Sequence, residues 1–317
     1  MMADKVFPRT MVEFEARFQT EAACRQFLFE RRWPTGWRCP RCDAARGGPN
    51  RRGLVQCAHC GHQVSLTAGT LFHGTRKGLG LWFKAILLMM TQKNGVSART
   101  LEQALGLSYP TAWTWLQKLR RAMAGRPCDP LTGRVALDDA TVGGYRRGQP
   151  GRRKGGGNKT LILTAVERHT QTMGRARIRV VADHSGKAFA AMAAACVHKG
   201  SAVHTDGLYG FRQLRADYAH TATDVGSHTP RAVEALPAVH RVISLLKRWL
   251  LGTHQGAVSG KHLPAYLAEF EFRFNRRTAT HRTLLFERVI DLAVRTAAPT
   301  YRALINTHCD TLQRVPT

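Results

Sequence analysis

Two Cys-x-x-Cys pairs constrain the fold of this chain more than any other feature of its sequence. Fourteen residues, 43–56, separate the pairs. Each pair can direct two thiolates toward one point, and four thiolates complete a tetrahedral zinc site with no position left for water. His59 and His62 lie beside the second pair, but four cysteines make them unnecessary as ligands. The pattern predicts a structural zinc ribbon with the ligands Cys39, Cys42, Cys57 and Cys60.

The charge balance indicates a polyanionic partner. The 317 residues include 48 Lys and Arg against 21 Asp and Glu, a formal net charge of +27, and the pI is near 10.9. Nucleic acid is the favoured partner, and an anionic membrane surface is the minor alternative because no strongly basic amphipathic helix is visible. The apolar run at 79–90 is too short to span a bilayer, and the first residues do not resemble a signal peptide. We therefore expect a cytoplasmic protein with two or three domains and no membrane partner.

The segment NGVSARTLEQALGLSYPTAWTWLQKLRRAM (94–123) predicts a helix-turn-helix. Ser97 can cap a first helix that Gly106 ends, and Ser108 can cap a second helix with Pro110 in its first turn. A plain helical hairpin with a tryptophan-filled core is the alternative. The inner face of the second helix is predicted to carry Trp113, Leu116 and Leu119. The residues predicted to face DNA are Tyr109, Thr111, Thr114, Lys118 and Arg121.

The rest of the chain predicts an α/β domain with a mixed sheet. Strand-like runs lie at 134–138, 160–166, 176–182 and 201–204, an Ala-rich helix is predicted within 184–200, and helices follow from about 232. The basic segment YRRGQPGRRKGGGNKT (145–160) is either a solvated hairpin loop or a phosphate-binding loop. Its candidate DNA contacts are Arg146, Arg147, Arg152, Arg153 and Lys154. The RFNRR run, 273–277, is either a DNA contact or a solvated helix end.

Carboxylates follow two of the predicted strands. RVALDDATVGG (134–144) places Asp138 after an apolar run, and VHTDGLYGF (203–211) places Asp206 in a similar position. A helix predicted at 235–256 follows, with His240 and Lys247 two turns apart on one face. If the two strands are neighbours, their acids can bind a divalent metal ion together.

The motifs of the chain are, in order, the ribbon, the helix-turn-helix, LDDATVGG, HTDG, HRVISLLKRWLLGTHQG and KHLPAYLAEFEFRFNRR. With these motifs, the chain resembles a group of bacterial insertion-sequence transposases of the DDE type. The resemblance covers residues 20 to 290, approximately. It implies an RNase H-like catalytic domain in which Asp138 and Asp206 bind catalytic Mg²⁺ or Mn²⁺. The family's third position, often Glu or Asn, falls on His240, and Lys247 matches the lysine seven residues later that contacts a phosphate.

Histidine at the third position is a softer ligand than a carboxylate and suits Mg²⁺ less well. His240 is therefore either the third ligand in a site that tolerates Mn²⁺, or another group completes the site. Asp139 and Glu234 are the candidates for that group, and Asp139 is otherwise a residue of the turn or of the surroundings of the site. A decayed, inactive copy is the third interpretation.

The resemblance implies cleavage at the element ends, followed by attack of the released 3′-hydroxyls on target DNA. It also implies terminal inverted repeats and target DNA as partners, a homo-oligomer on DNA, and a place in the bacterial nucleoid. A DNA-binding regulator with an inert catalytic domain and a nuclease without joining activity are the alternatives. The predicted domains are an N-terminal helical segment at 1–36, a zinc ribbon at 37–70, a helix-turn-helix domain at 78–125, a catalytic domain at 132–292 and a tail at 293–317.

Overall fold

The computed structural model describes residues 8–125, 129–143, 159–170, 172–223, 235–256 and 258–306. These residues belong to two compact units. The first comprises Met1–Gly125 and Ala279–Ile305, and the second comprises Arg126–Thr278 and Asn306–Thr317. Among the helices in these ranges, none is both long and apolar enough to cross a bilayer.

The first unit begins with two capped helices and a small antiparallel sheet. Thr10 and Thr20 cap helices α1 (Met11–Arg17) and α2 (Glu21–Arg32) by accepting hydrogen bonds from backbone N–H groups. The sheet has the order β1-β2-β3. Its strands are β1 (Gly47–Pro49), β2 (Leu54–Cys57) and β3 (Gln63–Ser65). The ribbon predicted from the cysteine spacing is therefore present.

The predicted helix pair follows, as α4 (Ala98–Leu105) and α5 (Tyr109–Ala124), after a largely buried helix α3 (Leu79–Thr91). Ser97 Oγ accepts a hydrogen bond from the N–H of Thr100 at 3.0 Å, and Gly106 ends α4 at φ +61°. Trp115, and not the predicted Trp113, is the fully packed tryptophan: it is buried and stacks on Trp82 at 3.8 Å. Position 115 is on the inner face because it shares a helical stripe with Ala112 and Leu119.

A later segment of the chain, residues 279–305, completes this unit. The sequence prediction placed positions up to 292 in that domain, whereas the structure groups Ala279–Ile305 with the N-terminal residues. Helix α9 (Leu284–Ala293) contributes Phe286, whose ring lies 5.2 Å from Phe14 and 5.4 Å from Phe83. A short helix α10 (Tyr301–Asn306) follows. Aromatic packing therefore joins helix α9 to the N-terminal helices in one unit.

The second unit contains a five-stranded mixed sheet with the order β6-β5-β4-β7-β8. Its strands are β4 (Arg134–Val142), β5 (Thr160–Arg168), β6 (Met173–Val180), β7 (Ala202–Asp206) and β8 (Ala219–Thr223). The first three strands are antiparallel neighbours, whereas β4, β7 and β8 run parallel. The mixed sheet predicted from the sequence is confirmed, and the first strand extends past both acids to Val142.

Helices cover both faces of this sheet because β4 alternates its apolar side chains between them. Ala136 faces helices α7 (Pro237–His254) and α8 (Leu263–Phe274). Val135 and Leu137 face helix α6 (Gly186–Cys196) and a 3₁₀ helix (Tyr209–Ala216). The alternation places Asp138 toward α7 and Asp139 toward α6.

Side chains from the end of α8 bond to the outer edge of β6. Asn275 accepts a hydrogen bond from the N–H of Ala176 at 2.7 Å and donates one to the carbonyl of Ala176 at 3.0 Å. Glu271 Oε1 accepts from the N–H of Ile178 at 2.6 Å. These bonds satisfy backbone groups that an edge strand otherwise leaves without partners.

Arg277 extends this arrangement by donating to the carbonyls of Met173 and Gly174. Burial lowers the pKa of its guanidinium. In the RFNRR run, Asn275 and Arg277 therefore hold the sheet edge, and neither side chain belongs to a solvated helix end.

Candidate functional site

The four patterned cysteines converge on one point in the first unit. Their sulfur atoms all lie within 4.8 Å of one another, and His59 and His62 are not members of the group. The N–H groups of Arg41 and His59 point at cysteine sulfurs, each at 3.4 Å. Backbone N–H groups, that of Cys60 first, lower the pKa of Cys57, whereas at Cys42 a backbone hydrogen bond is outweighed by burial and the contacts with the other cysteines, which raise its pKa. Such N–H donors stabilise thiolates, so the set suits a structural zinc ion.

A second convergent group lies in the sheet of the other unit. Asp138, Asp139 and Asp206 each offer a carboxylate oxygen, and these oxygens lie within 4.8 Å of one another. Asp138 is buried and the other two are partly buried. Three carboxylates at this separation repel one another when ionised unless a cation lies among them. The oxygen-rich donor set fits Mg²⁺ or Mn²⁺.

Neighbouring residues on a strand normally point to opposite faces, so the approach of Asp138 and Asp139 to one point has a specific cause. The pairing of β4 with β7 ends at Ala136 and His204. Past that pair, β4 remains bonded to β5 on one side, and its other side borders Asp206 at the end of β7. Both carboxylates can therefore reach the same opening from their two faces.

His240 reaches the cluster from α7. Its Nε2 atom lies 3.6 Å from Asp138 Oδ2, a separation that two atoms bound to one metal ion can have. Asp138 Oδ1 accepts a hydrogen bond from the N–H of Asp139 at 2.9 Å, so Oδ2 is the oxygen that faces the histidine. Lys247 is exposed on α7, about 10 Å along the helix from His240. Glu234 lies outside the described residues.

Sequence reasoning missed His184. Its Nε2 atom lies 3.2 Å from Asp139 Oδ2, and its ring lies 6.2 Å from Phe189. The backbone at His184 also packs closely on Gly210, where an added Cβ would lie 2.6 Å from the carbonyl oxygen of His184. The only sequence signal was a histidine directly before Ser185, which caps α6.

The DNA-facing residues predicted in the helix-turn-helix lie on α5. Tyr109 is exposed, and the other four are partly buried. Thr111 and Thr114 bond locally, to Ser108 and to the carbonyl of Pro110. Burial lowers the pKa values of Lys118 and Arg121. The predicted loop contacts Arg146, Arg147, Arg152, Arg153 and Lys154 lie outside the described residues.

Another cationic surface follows α7 in the second unit. A groove of about 460 Å³ runs along the helix beside His240. Its lining residues are Pro237, His240, Arg241, Ser244, Leu245 and Arg248. The groove therefore carries two arginines on the helix that also carries His240, and arginines of this kind can bind a polyanion.

The sheet order and the central acidic cluster define the second unit as an RNase H-like domain. Residues 130–275 match the ISXO2-like transposase domain, and residues 19–63 match the transposase zinc-ribbon domain. The two matches cover more than half of the chain without overlap, and the chain belongs to the insertion-sequence transposases built from these two domains. It is thus a DNA-binding protein of a mobile element. A comparison with curated proteins gave no match.

Proposed function

We propose that this chain is an active transposase, which cleaves DNA strands at the ends of its element and joins them to target DNA in a metal-dependent reaction. The observation that carries this proposal is the convergence of three carboxylates within 4.8 Å in a chain of net charge +27. Convergence of three carboxylate oxygens is the arrangement that binds a divalent cation, and such a cation is what the proposed reaction requires.

Asp138 and Asp206 hold the catalytic ions, and His240 is the third ligand. Asp139 supplies a further oxygen on the α6 side. Bound Mg²⁺ or Mn²⁺ stabilises the negative charge that develops on the attacking and departing oxygens of a phosphodiester. The protein's remaining task is to position the DNA, since phosphoryl transfer depends mostly on positioning and charge neutralisation.

The cationic residues supply that positioning. Lys247 contacts a phosphate beside the scissile bond, and the groove along α7 holds the adjoining backbone. The helix-turn-helix binds the element end through α5, with the ribbon of residues 37–70 beside it. The proposed contacts on α5 are Thr111, Thr114, Lys118 and Arg121, and those in the basic loop are Arg146, Arg147, Arg152, Arg153 and Lys154.

The proposed partners are the terminal inverted repeats of the element and its target DNA, in the bacterial cytoplasm and nucleoid. Joining both ends to one target requires that they be held together. A homodimer or larger assembly on DNA meets that requirement, with one catalytic unit for each end.

The test uses the purified full chain, a plasmid target, and DNA carrying the sequences that flank its gene. Wild type is compared with Asp206→Ala, His240→Ala and the exposed control Asp217→Ala, in Mg²⁺ and in Mn²⁺. Joined products that are lost with Asp206→Ala and His240→Ala, but kept with Asp217→Ala, support the proposal.

Three other results would change it. If joined products are lost only with Asp206→Ala, the chain is still a transposase, but His240 is not a metal ligand. Cleavage without joining indicates a nuclease. End-specific binding with no products in either metal indicates a regulator or an inactive copy.

A further inference from the structure

Tyr209 is an aromatic side chain placed in solvent directly after the acidic cluster. It is 76% exposed, the highest value among the exposed aromatic side chains of the described residues. The guanidinium of Arg212 covers one face of its ring at 4.8 Å from the ring centre. With so much of the side chain exposed, the face opposite Arg212 is open to solvent among the described residues, and a cation over one face orients the ring as a flat surface.

The helical period explains why this tyrosine lies among cations. Residues Tyr209–Ala216 form a 3₁₀ helix, in which side chains three positions apart line up. Tyr209, Arg212 and Arg215 therefore form one exposed strip, the Tyr209 strip. The opposite side of the helix carries Phe211 and Leu214, which are buried under α6. The helix that carries the strip is therefore held in place by core packing.

The strip is tied to the acidic cluster through the backbone. Asp206 Oδ1 accepts a hydrogen bond from the N–H of Leu208 at 3.2 Å, in the turn that leads into the 3₁₀ helix. Three residues span at most about 10 Å, so the backbone of Tyr209 lies within that distance of Asp206. A strand held at the metal site would reach the strip within a few nucleotides, at about 3.4 Å per stacked base.

The arginines of the strip also line a pocket. Its volume is about 170 Å³. The lining residues are Gly207, Leu208, Arg212, Arg215, His220 and Ala222. Two exposed guanidinium groups beside an aromatic ring form the combination that binds single-stranded nucleic acid, with the ring taking a base and the cations taking phosphates.

We infer that the Tyr209 strip binds an unpaired nucleotide next to the scissile phosphate, with its base stacked on the open face of Tyr209. Arg212 and Arg215 hold the phosphates of that strand. The inference rests on the proposed function, because it takes the DNA at the metal site as given. A ring fixed beside the cutting position receives a base only after that base has left the duplex stack, so the strip stabilises opened DNA where the reaction occurs.

The test separates binding from cutting. End DNA with iodouracil in place of thymine is bound to full-length Asp206→Asn, whose amide oxygen can still accept the bond from Leu208. The complex is irradiated and the cross-linked peptide is identified by mass spectrometry. Cleavage by wild type, Tyr209→Phe, Tyr209→Ala and the control Tyr301→Ala, an exposed tyrosine of the other unit, is measured in parallel.

A cross-link at Tyr209 is expected. Cleavage should fall about tenfold in Tyr209→Ala, because the base loses its stacking partner, and should be retained in Tyr209→Phe and Tyr301→Ala. If Tyr209→Ala cleaves at the wild-type rate and no cross-link forms at Tyr209, the inference is overturned and the proposed function stands. A cross-link at Tyr209 in a protein that never cuts supports the strip and rejects the proposed function. If no complex with end DNA forms, both are rejected.

Discussion

His184 and Asp139 are joined at 3.2 Å across 45 residues of sequence. The histidine lies in the turn before α6, and the aspartate lies on β4. This contact fixes the direction of the carboxylate that reaches the acidic cluster from the α6 side.

Replacing His184 with alanine should therefore weaken metal use without abolishing it. Partners that orient a metal ligand typically contribute 10- to 100-fold, so we expect cleavage to need about ten times more Mg²⁺. His184→Gln should recover part of the loss, because an amide can still donate to Asp139. Metal titrations of cleavage measure the effect, with His198→Ala, an exposed histidine of the same unit, as control. An unchanged metal requirement would show that the contact has no role in metal use.

Replacing His240 with glutamate should change the preferred metal. A carboxylate is a harder ligand than imidazole, so the ratio of cleavage in Mg²⁺ to cleavage in Mn²⁺ should rise several-fold relative to wild type. Leu251→Glu, at an exposed position of the same helix, is the control for added negative charge on α7. The same metal ratio in wild type and in His240→Glu would mean that His240 does not touch the ion.

The zinc ribbon should lose its metal when one thiolate is removed. We expect Cys57→Ser to contain less than about a tenth of the zinc of wild type, because three thiolates leave the site open. Hydrogen exchange in β1–β3 should become fast, while the amides of β4–β8 remain protected. Elemental analysis of the purified protein gives the zinc content, and Cys196→Ala, a buried cysteine of the sheet unit, should retain the metal. A ribbon that remains protected without zinc would contradict this prediction.

Glu167 should make the sheet unit sensitive to acid. Burial opposes its ionisation, but hydrogen bonds from the side chain and N–H of Arg175 and from the N–H of Thr132 prevail and lower its pKa. A carboxylate with a lowered folded pKa stabilises the fold above its unfolded pKa, and that contribution disappears as the pH falls through the folded value. Glu167→Gln should thus cost about 2 kcal/mol at neutral pH.

The difference in the free energy of unfolding between Glu167→Gln and wild type should shrink once the pH falls below 4.5, the ordinary pKa of the carboxyl group. Hydrogen exchange of the β5 and β6 amides at several pH values measures it. Asp217→Asn removes an exposed pair with Lys199 and should change little at any pH. If Glu167→Gln lowers the free energy of unfolding by the same amount in acid as at neutral pH, the hydrogen-bond geometry matters and the charge of Glu167 does not.

The order of elements could be predicted from the sequence because each signal for it is local. Apolar runs that end in Asp and Gly predicted the strands, and Ser97, Gly106 and Ser108 predicted the paired helices. The place of Asp139 could not be predicted, since strand alternation alone separates it from Asp138. Its approach depends on where β7 stops pairing with β4, and that is a long-range property. The packing of Phe286 with the N-terminal helices is long-range in the same way.

The hydrogen bonds from Glu271 and Asn275 to β6 also restrict how copies of the protein can assemble. Backbone groups that already bond to α8 are not available to a strand from a second chain. The proposed assembly on two DNA ends therefore does not extend its sheet through these positions of β6. In that proposed assembly, copies of the chain meet through other surfaces or through the DNA, and strand exchange at β6 would first require α8 to detach.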